Sequence, residues 1–203
     1  MLKTRIAVLV SGGGTNLQAL IDAERDGIII DGTISLVLSN NRDAFALTRA
    51  ERAGISTAVV LKSECLDHSE FEDKIIKTLD SYGIELIVLA GFMTILSEKF
   101  TSHYKDKIIN VHPSLIPSFC GKGFYGLKPH QAALEYGVKV TGATVHFVNE
   151  VPDGGKIIMQ KAVDIRDDDT PETLQKRVMQ EAEWKILPLA CQKVSKDIAL
   201  AKS

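Results

Sequence analysis

Apolar runs alternate along this chain with segments whose apolar residues recur at helical spacing. Ile6-Ala-Val-Leu-Val10 is apolar throughout and predicts a buried strand. Glycine-rich residues follow, then a helical pattern from residue 15 to about 25. Residues 34–38 predict the next strand, 44–53 a helix ending at Gly54, and 57–61 a third strand. Phe71, Ile75, Ile76 and Leu79 mark the apolar face of a helix that stops near Gly83. Residues 84–89 are apolar enough for a strand covered on both faces. This β-α-β-α-β-α-β order predicts a parallel sheet with helices against it and right-handed crossovers.

The second half reads differently. Residues 108–111 predict a short strand that runs into a Pro- and Gly-rich loop, 113–129. Loops this long are usually functional or mobile. A short helix from Pro129 to about Tyr136 follows. Residues 142–148 and 156–163 predict two antiparallel strands around the turn Val151-Pro-Asp-Gly-Gly155. Thr170 is the expected N-cap of a long last helix, with Pro171 at its start and Glu172 in its first turn. Pro188 is the expected place for that helix to kink or split. The expectation is one α/β domain over 1–203: a Rossmann-like, mostly parallel sheet with helices on both faces and an antiparallel C-terminal strand pair.

Composition narrows the function classes. The net charge of −2 comes from 24 basic and 26 acidic residues, interspersed, so no nucleic-acid surface is expected. No apolar run reaches the roughly 18 residues of a membrane span. The Met-Leu-Lys-Thr-Arg start lacks the apolar core of a secretory leader. The chain therefore reads as cytoplasmic, without a membrane partner. Cys65, Cys120 and Cys191 are odd in number and scattered, a poor disulfide framework and a poor zinc site.

Two segments carry candidate chemistry. Ser11-Gly-Gly-Gly-Thr-Asn16 joins a strand to a helix. Consecutive glycines let backbone N–H groups converge, and the helix start favours an anion. The segment lacks a Walker A ending, and Leu17 fills the third glycine position of a dinucleotide fingerprint. A monophosphate suits it better, although a ligand-free tight turn fits the same residues. Asn110 and His112 leave the end of a strand one residue apart, so both side chains face one side. A histidine shuttles protons near neutral pH, and an asparagine amide donates to an oxyanion. A working histidine needs a carboxylate, and Asp153 is the best placed, although Asp-Gly is also ordinary turn chemistry. His146 fits a core position slightly better than a site. Ser114 lacks a nucleophile elbow, and Cys120 lacks an evident activator.

Taken together, Val10-Ser-Gly-Gly-Gly-Thr-Asn-Leu17, Leu38-Ser-Asn-Asn41, Leu89-Ala-Gly-Phe-Met93, Asn110-Val-His-Pro-Ser-Leu-Ile-Pro117, Gly142-Ala-Thr-Val-His-Phe-Val148 and Asp153-Gly-Gly155 resemble the glycinamide ribonucleotide formyltransferases. These are folate-dependent enzymes of purine synthesis, and the resemblance spans nearly the whole chain. It implies a phosphate-binding N-terminal half, 1–100, and a catalytic and folate-binding C-terminal half, 101–203, with Asn110, His112 and Asp153 as a catalytic trio. It implies Gly14, Thr15 and Asn16 at the phosphate, and Gln180 and Glu183 in the last helix as ribonucleotide contacts. Met93, Thr94, Ile95 and Leu96, with Asn149, Glu150, Val151 and Pro152, would line the folate pocket. The co-substrate would be 10-formyltetrahydrofolate, with no metal, and the chain a monomer or a homodimer. Relatives often carry Arg or Lys near His68, as a folate contact. The segment 119–126 is longer than in many of them.

The implied reaction is direct attack of the amine on the formyl carbon. Asn110 and a protonated His112, its pKa raised by Asp153, would stabilise the oxyanion. A formyltetrahydrofolate hydrolase using water as acceptor, and a binding module without catalysis, remain alternatives.

Overall fold

The computed structural model describes residues 3–202. Met1 and Leu2, on which the leader reading partly rests, lie outside the described residues. Seven strands form one sheet in the order β3-β2-β1-β4-β5-β6-β7. They are β1 (Thr4–Val10), β2 (Gly32–Ser39), β3 (Ser56–Val59), β4 (Leu86–Leu89), β5 (Ile108–His112), β6 (Val140–Phe147) and β7 (Ile157–Asp164). The first five pair in parallel. β6 runs antiparallel to β5, and β7 antiparallel to β6. This is the expected mixed sheet.

Helices cover both faces. They are α1 (Thr15–Arg25), α2 (Phe45–Arg52), α3 (His68–Ser81), α4 (Glu98–His103), α5 (Lys128–Tyr136), α6 (Pro171–Val178) and α7 (Trp184–Leu200). Strand alternation sorts the core in two. Ile6, Val8 and Val10 pack with α1, α2 and α7, while Ala7 and Leu9 pack with Phe71, Ile75, Leu79 and Phe100 of α3 and α4. Central strands therefore need apolar residues at every position, which is the continuous run seen at 6–10.

Three features differ from expectation. The six-residue α4 has too few turns to show a period, and only its N-cap Ser97, accepting from Phe100 N, marks it. The loop after β5 ends two residues earlier than expected, because α5 starts at Lys128 with Pro129 in its first turn. The last helix is not split at Pro188. It widens one turn earlier, into a π segment at Met179–Glu183, and Pro188 sits inside α7. Pro188 has no N–H for the carbonyl of Trp184, and its ring crowds that carbonyl. The i→i+5 turn ends where that crowding begins, at Trp184. Thr170 caps α6 as expected, exchanging bonds with Thr173.

Strand order reverses across β1 and β4, and ligands of open α/β sheets bind beyond the carboxyl ends of strands at such a switch point. The glycine loop after β1, the segment 90–97 after β4 and the loop after β5 all leave from that edge. Among the described residues, no helix is long and apolar enough to cross a membrane.

Candidate active site

The end of β5 carries Asn110 and His112, and its pairing with β6 sets Asn110 opposite His146. The turn before β7 carries Asp153, in the left-handed region at φ 57°, where aspartate is one of the tolerated residues. These four side chains meet. Asp153 Oδ2 lies 3.4 Å from His112 Nδ1, and Oδ1 lies 3.5 Å from His146 Nε2. Asn110 Nδ2 lies 3.2 Å from His146 Nε2.

Hydrogen-bond roles follow from the partners. His146 Nδ1 donates to the carbonyl of Phe147 at 2.8 Å. When that ring carries only this proton, Nε2 accepts one Asn110 N–H and fixes the amide; when both ring nitrogens carry protons, Nε2 faces Asp153 Oδ1 as a donor. The second Asn110 N–H is free to act in the site. His112 Nε2 donates to the carbonyl of Phe119 at 3.0 Å. The loop after β5 thus lies over the trio in this structure. Gly121 N also donates to Asp153 Oδ2, at 2.8 Å. The loop's first residues are tied down: Thr144 Oγ1 donates to Ser114 O and accepts from Ile116 N.

Charge is set by competition between burial and contacts. Burial opposes ionisation of Asp153, but His146, His112 and Gly121 N outweigh it, and its pKa lies below the ordinary value. For His112 the balance differs from the sequence expectation. Burial is the largest influence and lowers its pKa, outweighing the raising effects of Phe119 O and Asp153. His112 favours the neutral ring while the loop covers it.

Next to the trio is a cavity of about 140 Å³, whose lining includes Phe92, Thr94, Ile95, Leu96, Asn149, Glu150 and Pro152 as well as Asn110, His146 and Asp153. Six of the nine residues expected at folate, Thr94, Ile95, Leu96, Asn149, Glu150 and Pro152, therefore converge beside the trio. Met93 and Val151 are exposed on the same two segments, outside the lining. His68 is outside it too, turned onto Glu72 with Nε2 3.3 Å from Oε1.

The glycine loop leaves the start of α1 without a side-chain cap. Gly14 is in the left-handed region at φ 71°, and a Cβ there would lie 2.6 Å from Ala46 Cβ. No side chain caps α1, so its first N–H groups are open. Around Gly12 and Gly13 there is empty space. Asn16 Nδ2 donates to Glu183 Oε2 at 2.7 Å, across 167 residues of sequence. Burial pushes the Glu183 carboxyl up to about 6. Gln180, in the same π segment, is exposed.

Residues 4–191 match the sequence profile of a family described as formyl transferase. The chain belongs to the formyl transferase family. It is 45% identical over 185 residues to the phosphoribosylglycinamide formyltransferase of Haemophilus influenzae, covering 91% of this chain and 84% of that protein. It is 46% identical over 193 residues to the trifunctional purine biosynthetic protein adenosine-3 of Gallus gallus, covering 95% of this chain but only 18% of that protein. The solved glycinamide ribonucleotide transformylase 1 from Symbiobacterium toebii is similar at a TM-score of 0.90 and 39% identity, over 96% of this chain and 89% of that one.

In this formyl transferase, two histidines near the trio carried little sequence signal. His146 reads as a strand residue, and only its register opposite Asn110 reveals its role. His130, on the buried face of α5, is fully buried with neither ring nitrogen partnered. Burial, with the nearby His112 adding to it, lowers its pKa to about 4. Ser114 Oγ is committed to Ser118 O at 2.6 Å, and burial raises the Cys120 thiol pKa. Neither is an activated nucleophile. No group of three or more metal-ligating side chains occurs among the described residues.

Proposed function

We propose that this chain transfers the formyl group of 10-formyltetrahydrofolate to the amine of glycinamide ribonucleotide. The products are formylglycinamide ribonucleotide and tetrahydrofolate. The observation that carries this reading is the half-buried Asp153 between His112 and His146, with Asn110 beside them in the cavity lining. The names of the relatives point to the same reaction.

The amine lone pair attacks the formyl carbon, and the carbonyl π pair moves onto oxygen. The free Asn110 N–H and His112 Nε2–H donate to that oxyanion, which takes the place of Phe119 O. An anion at Nε2 favours the imidazolium, so His112 charges as the intermediate forms. The attacking amine releases a proton, and folate N10 takes one as it leaves, through His112, Asp153 and water. Gly14, Thr15 and Asn16 hold the phosphate, with Glu183 and Gln180 on the ribonucleotide. Thr94, Ile95, Leu96, Met93 and the 149–152 turn hold the folate, with His68 at its edge. The two halves, 1–100 and 101–203, divide these tasks, phosphate in the first and catalysis with most of the folate turn in the second. The protein works on small molecules in the cytoplasm, with no nucleic-acid or membrane partner and no metal, as a monomer or a homodimer.

The test mixes protein, 10-formyltetrahydrofolate and glycinamide ribonucleotide. Tetrahydrofolate should form only with the amine present. Equal formation without the amine would make the chain a hydrolase, and no product with both would make it a binding module.

A further inference from the structure

We propose that Glu72, a buried carboxylate on α3, is the positioning residue that sets the cavity wall 92–97 against the catalytic groups. The inference rests on the reading of that cavity as the formyl-folate site.

The wall needs an anchor. Among the described residues, no backbone–backbone hydrogen bond involves residues 92–96. Three side-chain ties place the segment instead. Met93 N donates to Ser11 Oγ at 2.9 Å, and Asn40 Nδ2 donates to Thr94 Oγ1 at 3.0 Å. At the far end, Ser97 N donates to Glu72 Oε1 at 2.7 Å, and Ser97 Oγ donates to Glu72 Oε2. Ser97 is also the N-cap of α4, so the tie fixes where the wall ends and the helix begins.

Glu72 is an unusual choice for packing alone. It is 1% exposed, among Phe71 and Ile75 of the α3 core. An ionised carboxylate there is costly unless its oxygens are satisfied, and an apolar residue of similar size often stabilises as well. Both oxygens accept from Ser97, and His68 Nε2, 3.3 Å away, covers the solvent side. What a carboxylate adds over an apolar residue is direction: two acceptors that hold Ser97 in one place. Ile95 and Leu96, two and one residues before Ser97, line the cavity beside Asn110 and Asp153.

Steady-state kinetics on the full chain test this, with Glu72→Ala, Glu72→Gln and Ser97→Ala. Glu72→Ala should raise KM for 10-formyltetrahydrofolate roughly tenfold or more, the size expected for lost bonds to a charged group. KM for glycinamide ribonucleotide should stay within about twofold, because the wall meets the glycine loop only at Met93 and Ser11, at the other end of the segment from Ser97. Glu72→Gln keeps an acceptor for Ser97 N and should recover part of the loss. Ser97→Ala should move the same constant in the same direction, and it stands in if Glu72→Ala does not fold. Titration with tetrahydrofolate reads the same ranking by affinity, without turnover. An unchanged folate constant in both Glu72 variants overturns the proposal. So does a parallel rise of both substrates' constants, which signals general loosening. Wild-type protein that binds tetrahydrofolate with the expected ranking but forms no product would sink the transferase reading and leave this one standing.

Discussion

The two carboxylate oxygens of Asp153 are divided between two imidazoles, Oδ2 facing His112 Nδ1 at 3.4 Å and Oδ1 facing His146 Nε2 at 3.5 Å. One charge therefore orients the proton carrier and also backs the histidine that aims Asn110. Asp153→Asn keeps the shape and removes the charge. His112 then loses an influence that raises its pKa, while the burial that lowers it remains. We expect kcat to fall by roughly 10²–10⁴-fold, the range for losing a positioned acid–base group, with both KM values little changed. The acid limb of the pH–rate profile should move to lower pH. Turnover within threefold of wild type would remove Asp153 from the mechanism.

Much of this arrangement is legible in the sequence, and the reasons differ by residue. Ile6 to Val10 is a central parallel strand, and an unbroken apolar run has few other readings. Asn110 and His112 share a side because strand side chains alternate, so their spacing carries the geometry. His146 joins them through the β5–β6 register, which a single strand does not encode. Glu183 reaches Asn16 across 167 residues, a closure that local pattern cannot show. The burial of His112 is also a tertiary property, and it reverses the expected direction of its pKa.

The Asn110 amide is aimed by His146, and the two should fail differently. Asn110→Ala removes the oxyanion donor itself. One such donor is worth about 10²–10³ in kcat. His146→Ala leaves the amide in place but unoriented at 3.2 Å from an absent partner, so a smaller loss of kcat is expected, on the order of tenfold. Rates of both single variants and the double variant would check this. If the double variant's loss equals the product of the single losses, the two residues act independently.

His130 gives a stability signature. Its folded pKa of about 4 lies below the ordinary 6.5. Between those values the unfolded chain binds the proton and the folded chain does not, so stability rises with pH through that window. The contribution is fully present above 6.5 and is lost as pH falls toward 4, on the order of 3 kcal/mol in all. The depressed His112 adds a slope of the same sign. Denaturant unfolding of His130→Leu from pH 4 to 7 should show a flatter profile than wild type. An equally steep profile would place the proton uptake elsewhere.

Gly155 permits the turn that carries Asp153. A Cβ at Gly155 would lie 1.7 Å from the carbonyl oxygen of Phe147. Phe147 N is meanwhile bonded to Lys156 O at 2.9 Å, so the strands have little freedom to part. Gly155→Ala should lower stability by about 1–3 kcal/mol, as overpacking does. It should also lower kcat, because displacement of the turn carries Asp153 with it. A thermal melt and a turnover assay on one preparation would separate these effects, and a variant with normal values in both would contradict the contact.

Glu183 should show stability and binding pulling in opposite directions. Its folded pKa of about 6 lies above the ordinary 4.5, because burial disfavours the charged form. Between these values the folded chain holds the proton and the unfolded chain releases it, so stability falls as pH rises through the window. At neutral pH the buried charge costs on the order of 2 kcal/mol. Glu183→Gln removes that charge and keeps an oxygen to accept from Asn16 Nδ2. The variant should therefore be more stable than wild type at pH 7 and show no gain at pH 4. If the carboxylate holds the ribonucleotide, KM for glycinamide ribonucleotide should rise about tenfold or more, the size of a lost hydrogen bond to a charged group. The formyl-folate KM should not change. A variant with higher stability and an unaltered ribonucleotide KM would make Glu183 a buried partner of Asn16 and nothing more.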